Sequence, residues 1–279
     1  MSTGVFLAVL LAAAMHAGWN AVLKVRLEPF IAMTLVTGLA GVIGLPFLLA
    51  LGLPRPEAWP WLLASVAIHL GYYLALSEAY RHADMGQVYP IARGTAPLLT
   101  TLASLVLVRE PLAPLAAIGI GVLGTGIGLM SLRAKGAQFD RRAVGFALLT
   151  SVIICGYTLV DGIGARIAGD PHAYSAALFV FDAIPLPLYL LWRRGPAAFV
   201  PMRRFLLPGF AGGAMSLGAY WIAIWAMTVA PIALVAALRE TSVLFATLIA
   251  VVLLKEPLVP ARGIAALLIV AGIVTIKLG

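Results

Sequence analysis

The sequence predicts an all-α polytopic membrane protein, ten transmembrane helices arranged as two inverted five-helix repeats. Three observations carry that expectation. Hydrophobic residues make up 62% of the 279 and charged residues 11%, whereas globular domains run roughly 45–50% apolar and about 25% charged. Apolar runs of about 20 residues, the length that crosses the hydrocarbon core of a bilayer, recur along the whole chain. The segment VLVREPLAP from Val106 returns as VLLKEPLVP from Val252, with six of nine positions identical at a spacing of 146 residues.

Charges and Pro/Gly clusters divide the chain into ten candidate spans, near 4–24, 30–51, 59–80, 84–108, 111–131, 143–164, 173–192, 205–226, 231–254 and 261–278. Helices are required because backbone groups in hydrocarbon must pair within their own segment, and a barrel would read as shorter alternating strands. The first span has no basic leader and no small-x-small cleavage site, so it reads as a spanning helix and not as a removed signal. LPRPEAW joins the second span to the third. Arg109, Glu110 and Pro111 join the fourth to the fifth, and Lys255, Glu256 and Pro257 the ninth to the tenth. In the seventh span Pro185 and Pro187 follow Asp182. Proline removes a backbone donor and disturbs the preceding turn, so a broken helix is expected there. GIGVLGTGIG in the fifth span and GFAGGAMSLGAY at the eighth are dense in small residues that permit close helix contacts.

RAKGAQFDRR, residues 133–142, leaves five spans on each side, so repeats are expected at 1–135 and 143–279. Five is odd, so the second copy enters the membrane from the opposite face, an architecture found in many secondary transporters. The same offset aligns Arg93 with Arg239, Thr95 with Thr241 and Gly126 with Gly272.

Several function classes fall away. The net charge of +8 comes from basic residues beside apolar segments, where they meet anionic lipid and not nucleic acid. The single cysteine, Cys155, has no partner for a disulfide or a metal site. GIGVLG lacks the strand–turn–helix setting of a dinucleotide fingerprint. No catalytic triad, metal-protease motif or phosphate loop is present, so no catalytic residue, cofactor or metal is expected. The partners expected are the lipid bilayer and a small-molecule solute.

Ionisable groups inside a bilayer are costly, and are either functional or paired. Arg93 and Arg239 lie within their spans at equivalent repeat positions. Two readings stand side by side, contact with a solute carboxylate or phosphate and neutralisation by an acid on a neighbouring helix. Glu240 adjoins Arg239 but points about 100° away around a helix. His16, Trp19 and Asn20 share one face of the first helix. With Arg93, Asp182, Arg239 and Glu240 they are the candidates for a substrate cavity. His16, Glu78, Asp161, Asp182 and Glu240 are the candidates for proton coupling. The aromatics Tyr72, Tyr73, Tyr80, Tyr89, Tyr157, Trp221 and Trp225 recur near these groups. The six residues of the two duplicated junctions are expected to be structural corners. Proline suits the first turn of a new helix, Glu favours its positive end, and the basic residue meets headgroups.

Each half resembles the EamA domain of the drug/metabolite transporter superfamily, in which the fourth helix ends in a Glu and a glycine-patterned fifth helix follows. The counterparts are Glu110 with Gly119 to Gly126, and Glu256 with Gly263 to Gly272. AMHAGWNAVLK, Ala14 to Lys24, resembles an opening seen in part of that family. Arg109 and Lys255 stand where the family has glycine. The resemblance implies an exporter or exchanger of small metabolites or drugs, working by alternating access in a bacterial-type inner membrane, with cytoplasmic termini. The other readings are a flippase for a lipid-linked solute, a membrane-embedded enzyme, and a structural or sensory membrane protein.

Charge argues for the other orientation. Thirteen Lys and Arg residues fall on the side of the 1–2, 3–4, 5–6, 7–8 and 9–10 connections, and only Arg55, Arg109, Arg166 and Lys277 on the side of the termini. Positive residues mark the cytoplasmic side, so the count places both termini outside. A C-terminal alkaline phosphatase fusion should then be active and a C-terminal fluorescent protein dark; a fluorescent fusion with inactive phosphatase would overturn the charge-based assignment.

Overall fold

A computed structural model describes residues 1–23, 27–82, 85–131, 141–252 and 260–279. Among these the regular structure is entirely helical. The first half holds α1 (Thr3–Leu23), α2 (Pro29–Leu51), α3 (Trp59–His82), α4 (Met85–Ala103) and α5 (Pro114–Ser131). The second holds α6 (Arg141–Ile167), α7 (Pro171–Asp182), α8 (Pro185–Arg194), α9 (Leu206–Val229), α10 (Ile232–Arg239), α11 (Ser242–Val252) and α12 (Pro260–Leu278). Among the described residues seven segments are long and apolar enough to cross a membrane. These are Thr3–Asn20, Pro29–Leu51, Ile91–Val108, Val144–Ile167, Pro171–Arg194, Pro196–Val229 and Ile232–Ile249, and Pro114–Met130 is a shorter apolar helix. Large apolar side chains such as Leu49, Leu107, Leu207 and Leu267 face outward, the reverse of a water-soluble surface and the arrangement that lipid requires.

Among the described residues two spans are interrupted. The expected break falls between α7 and α8, where Ala183 N bonds Phe179 O, Ile184 N bonds Phe181 O, and Pro185 opens the next helix. A second break, at Glu240 and Thr241, has no proline or glycine to announce it. Glu240 N and Thr241 N donate to Ala237 O and Leu238 O, each at 3.1 Å, tightening α10 to i→i+3 bonds at its end. The Thr241 hydroxyl donates to Leu238 O at 2.6 Å and occupies a carbonyl that a continuing helix would use. At the equivalent place in the first half, Gly94 and Thr95, α4 runs on unbroken.

The helices pack in a pattern that survives exchange of the halves. α3 lies on α6 as α9 lies on α1, and α5 packs on α12. The α5–α12 contact is glycine-to-backbone: a Cβ on Gly272 would stand 2.7 Å from Leu123 N and 2.8 Å from Gly119 O. A Cβ on Gly126 would likewise stand 3.0 Å from Ala265 O. Buried threonines return their hydroxyls to their own helix, as Thr37 does to Met33 O at 2.7 Å and Thr100 to Ala96 O at 2.9 Å. Polar groups in an apolar bundle are thereby satisfied locally.

The first duplicated junction departs from the expected corner. α4 continues through a π-turn, Ser104–Val108, and Arg109 follows at φ 59° in the left-handed region. A glycine adopts that conformation without penalty, a side chain does not. Pro111 lies outside the helix, and Pro114 takes the first position of α5. Lys255, Glu256 and Pro257, the second junction, lie outside the described residues. Arg109→Gly should raise thermal stability in detergent by roughly 1 kcal/mol; a lower melting temperature would contradict the strained reading of this turn.

Candidate functional site

A cavity of about 70 Å³ lies between the halves. α1 contributes His16 and Trp19, α2 Met33, Val36 and Thr37, and α3 His69, Tyr72 and Tyr73. α6 contributes Tyr157, α7 Leu178, Phe179 and Asp182, α9 Ser216 and Tyr220, and α10 Arg239. The two interrupted spans each deliver the residue at their break: Asp182 is the last residue of α7 and Arg239 the last of α10. Helix breaks therefore bring one acid and one base to the same cavity.

The two repeat-related arginines have different surroundings. Arg93 is 2% exposed, and its Nε lies 2.7 Å from Glu240 Oε2. Its other side faces His16, with Nη2 donating to Nε2 at 3.1 Å. Trp19 Nε1 donates to the other ring nitrogen, Nδ1, at 3.2 Å. Guanidinium and indole N–H groups are donors only, and a neutral imidazole has a single acceptor nitrogen. The ring therefore serves one of these donors at a time. Protonating it would remove that bond and set an imidazolium against Arg93.

Arg239 is 8% exposed and lines the cavity. Its Cζ sits 4.6 Å from the centre of the Tyr220 ring, a cation–π contact. Among the described residues no carboxylate stands within ion-pairing distance of it. Glu240, its neighbour in sequence, is turned to Arg93 instead, as the 100° step around a helix implies. One arginine of the duplicated pair is thus neutralised, and the other presents its donors to the cavity.

The acids and the second histidine form a separate polar group. Asp182 accepts from Tyr73 Oη at 3.0 Å. Asp161 is fully buried, accepting from Tyr174 Oη at 3.0 Å and Tyr220 Oη at 2.5 Å. His69 Nδ1 lies 2.9 Å from Ser65 O and 3.1 Å from Ser65 Oγ, donating to the carbonyl in one tautomer and accepting from the hydroxyl in the other. The imidazole stacks on Tyr157 with centroids 4.2 Å apart. Tyr220 thus touches both the arginine and the acid: its ring faces Arg239 and its hydroxyl holds Asp161.

Not every candidate reaches the cavity. Asn20 donates to His16 O at 2.8 Å and does not line the space. Trp221 donates to His172 Nδ1 at 2.8 Å, away from the lining, and Trp225 packs against the core. The side chains of Glu78, Tyr80 and Tyr89 lie outside the described residues. Glu110, expected to favour the positive end of the helix that follows it, instead bonds Ser104, Arg166 and the start of α10. Sequence reasoning passed over His69, Thr37, Phe179, Ser216 and Tyr220. His69 had a readable signal, since His69, Tyr72 and Tyr73 recur at i, i+3 and i+4 and so form one polar stripe on α3. Cys155 is buried and free, and the described residues contain no cluster suited to a metal.

A model of the EamA-like transporter family matches residues 2–132 and 141–278. None of the curated proteins matches the chain. A solved protein, described only as a crystal structure of a protein, is similar at a TM-score of 0.79 and 23% identity, over 99% of this chain and 96% of its own. At that identity the likeness is one of fold.

Breaking a buried ion pair by removing one partner costs about 3–5 kcal/mol. Arg93→Met should therefore lower the unfolding temperature in detergent strongly, and the double change Arg93→Met with Glu240→Met should recover most of the loss. Arg239→Met should cost about 1 kcal/mol or less, the scale of a cation–π contact. Equal losses for the two arginines would contradict the division of roles.

Proposed function

Because the chain belongs to the EamA-like transporter family of the drug/metabolite transporter superfamily, we propose that it carries a small solute across the membrane by alternating access. The solute binds between two inverted repeats, 1–135 and 143–279, each of five spans, and its binding shifts the balance of two states open to opposite faces. The protein acts as an exporter or exchanger in a bacterial-type inner membrane.

Arg239 carries this reading. A guanidinium removed from water without a counter-charge is unfavourable, and a solute carboxylate or phosphate supplies the charge and a planar acceptor for its fork of donors. The aromatic rings of Tyr157, Tyr220 and Tyr72 suit an apolar body on the same molecule. Asp182 on the opposite wall, with Tyr73, and Asp161 below, with Tyr174 and Tyr220, supply carboxylates beside His69. A proton taken by this group offsets the added negative charge of a bound anion and couples transport to a proton gradient. His16 stays neutral in this account and positions Arg93.

The proposal predicts a solute class before it predicts a solute. In a proteoliposome screen of carboxylates and phosphates, Arg239→Ala should reduce transport of the identified solute by about tenfold or more, the equivalent of losing a charge-assisted hydrogen bond. Wild-type rates in Arg239→Ala would sink the anchoring role. An imposed proton gradient should change the rate in wild type and not in Asp182→Asn; indifference of the wild type would remove proton coupling.

A further inference from the structure

We propose that Glu110 and Arg166 form the gate on the membrane face that carries both chain termini: their network holds this face shut here, and must part before the cavity opens to it. The proposal rests on the alternating-access reading and assigns a working role to one of the two duplicated segments.

The face is fixed by contacts. Lys277 Nζ bonds Met1 O at 3.4 Å and Thr3 Oγ1 at 3.2 Å, bringing the two ends of the chain together. α2 returns the chain to that face, and Arg55 N, in the α2–α3 connection, bonds Ala168 O at 3.2 Å. The end of α6 therefore lies there too. The cavity sits toward the other face. Its α1 residues are 16 and 19 of a helix that ends at Leu23, and its α2 residues are 33 to 37 of a helix that begins at Pro29.

Glu110 and Arg166 occupy the gap between α9 and α10. Arg166 donates from Nε and Nη2 to Met227 O, at 2.8 and 2.6 Å, and from Nη2 to Ala230 O at 3.2 Å. These are carbonyls at the end of α9, where a cation is favoured. Glu110 Oε2 accepts from Ile232 N at 2.9 Å, the first residue of α10, where an anion is favoured. Ser104 Oγ donates to the same oxygen at 2.7 Å. The two side chains then close on each other, with Glu110 Oε1 2.5 Å from Arg166 Nη2. One network thus joins the α4–α5 junction of the first half to α6, α9 and α10 of the second.

A second layer lies between this network and the cavity. From Ile232 to Arg239, α10 rises about 10 Å at 1.5 Å per residue. Within that depth Ile232, Met227, Tyr174 and Asp161 are fully buried. Ile232 packs on Gly162 so closely that a Cβ there would stand 2.6 Å from its Cδ1. The route from the cavity to the terminal face is therefore stopped twice, by the tyrosine–Asp161 layer and by the ion pair outside it. Asp161 belongs to the inner layer and, through Tyr220, touches the ring that faces Arg239. Occupancy at Arg239 thus reaches the inner layer through a single tyrosine. On the other face the described ion pair that joins the halves, Glu28 with Arg194, is 46% and 40% exposed, and exposed pairs of that kind stabilise little. Among the described residues Glu110, at 13% exposed, is the best shielded carboxylate of the two pairs.

Membrane-impermeant maleimide labelling of Ser216→Cys, in a Cys155→Ser background, tests this without a known solute. Vesicles of both orientations are used, with Ser2→Cys in a parallel sample marking the terminal face. Wild-type Ser216→Cys should label from the face opposite the termini. Adding Glu110→Gln or Arg166→Gln should raise its rate from the terminal face about tenfold or more, the factor that about 1.4 kcal/mol supplies. Unchanged labelling in variants that remain monodisperse would overturn the gate. Should those variants misfold, Arg166→Lys decides, since it keeps the charge and loses the donors to Met227 O and Ala230 O. Its Ser216→Cys labelling from the terminal face should rise above that of the parent while the other face stays unchanged; an unchanged terminal-face rate overturns the proposal. Equal labelling of wild type from both faces would instead count against alternating access itself, so the two failures are distinguishable.

Discussion

The bundle is organised around one buried ion pair. Arg93 and Glu240 stand where water cannot reach, and a charge in such a place must be paired or neutralised. Glu240 lies at the break between α10 and α11, Arg93 within the unbroken α4, so the pair joins the two halves at their centre. By claiming Glu240 it separates two arginines that a duplication made equivalent. Arg239 is left at the cavity with a tyrosine ring as its neighbour. His16, between Arg93 and Trp19, completes the wall beside the guanidinium.

Duplication supplies the frame and departures from it supply the site. The helix contacts map onto themselves when the halves are exchanged, α3 on α6 and α9 on α1. The breaks do not. Both fall in the second half, at Asp182 and at Glu240, while α2 and α4 run through the corresponding positions. A broken helix ends its hydrogen-bond ladder and points its last side chains inward. The acid and the base of the cavity therefore both come from the copy that is interrupted. The same asymmetry appears at the terminal face, where the α9–α10 gap receives Glu110 and Arg166 as counter-charges to two helix ends.

Much of this was legible in the sequence. Composition and run length announce a helical membrane protein, the duplicated segments announce the repeat, and the prolines after Asp182 announce the break between α7 and α8. The break at Glu240 and Thr241 was not legible, because it rests on a threonine hydroxyl returning to a carbonyl and on a partner, Arg93, from a distant helix. Which arginine would be neutralised was equally hidden; the two share their offset, and only packing decides which one Glu240 meets. Glu110 read only as a structural corner because its partners, Arg166 and Ile232, come from the other half of the chain and only packing brings them to it. His69 was readable and was passed over, since a lone histidine is less conspicuous than the stripe it forms with Tyr72 and Tyr73.

The central claim is that the cavity holds one available arginine, Arg239, and that Arg93 is not available. The most direct measurement is a crystal structure of the protein in lipid with 4-bromobenzoate, located by bromine anomalous scattering. The account predicts a peak in the cavity with the carboxylate on Arg239 and the ring among Tyr157, Tyr72 and Tyr220, leaving the Arg93–Glu240 pair intact. A carboxylate bound to Arg93 with Glu240 displaced, or a cavity without bromine at saturating concentration, would contradict it.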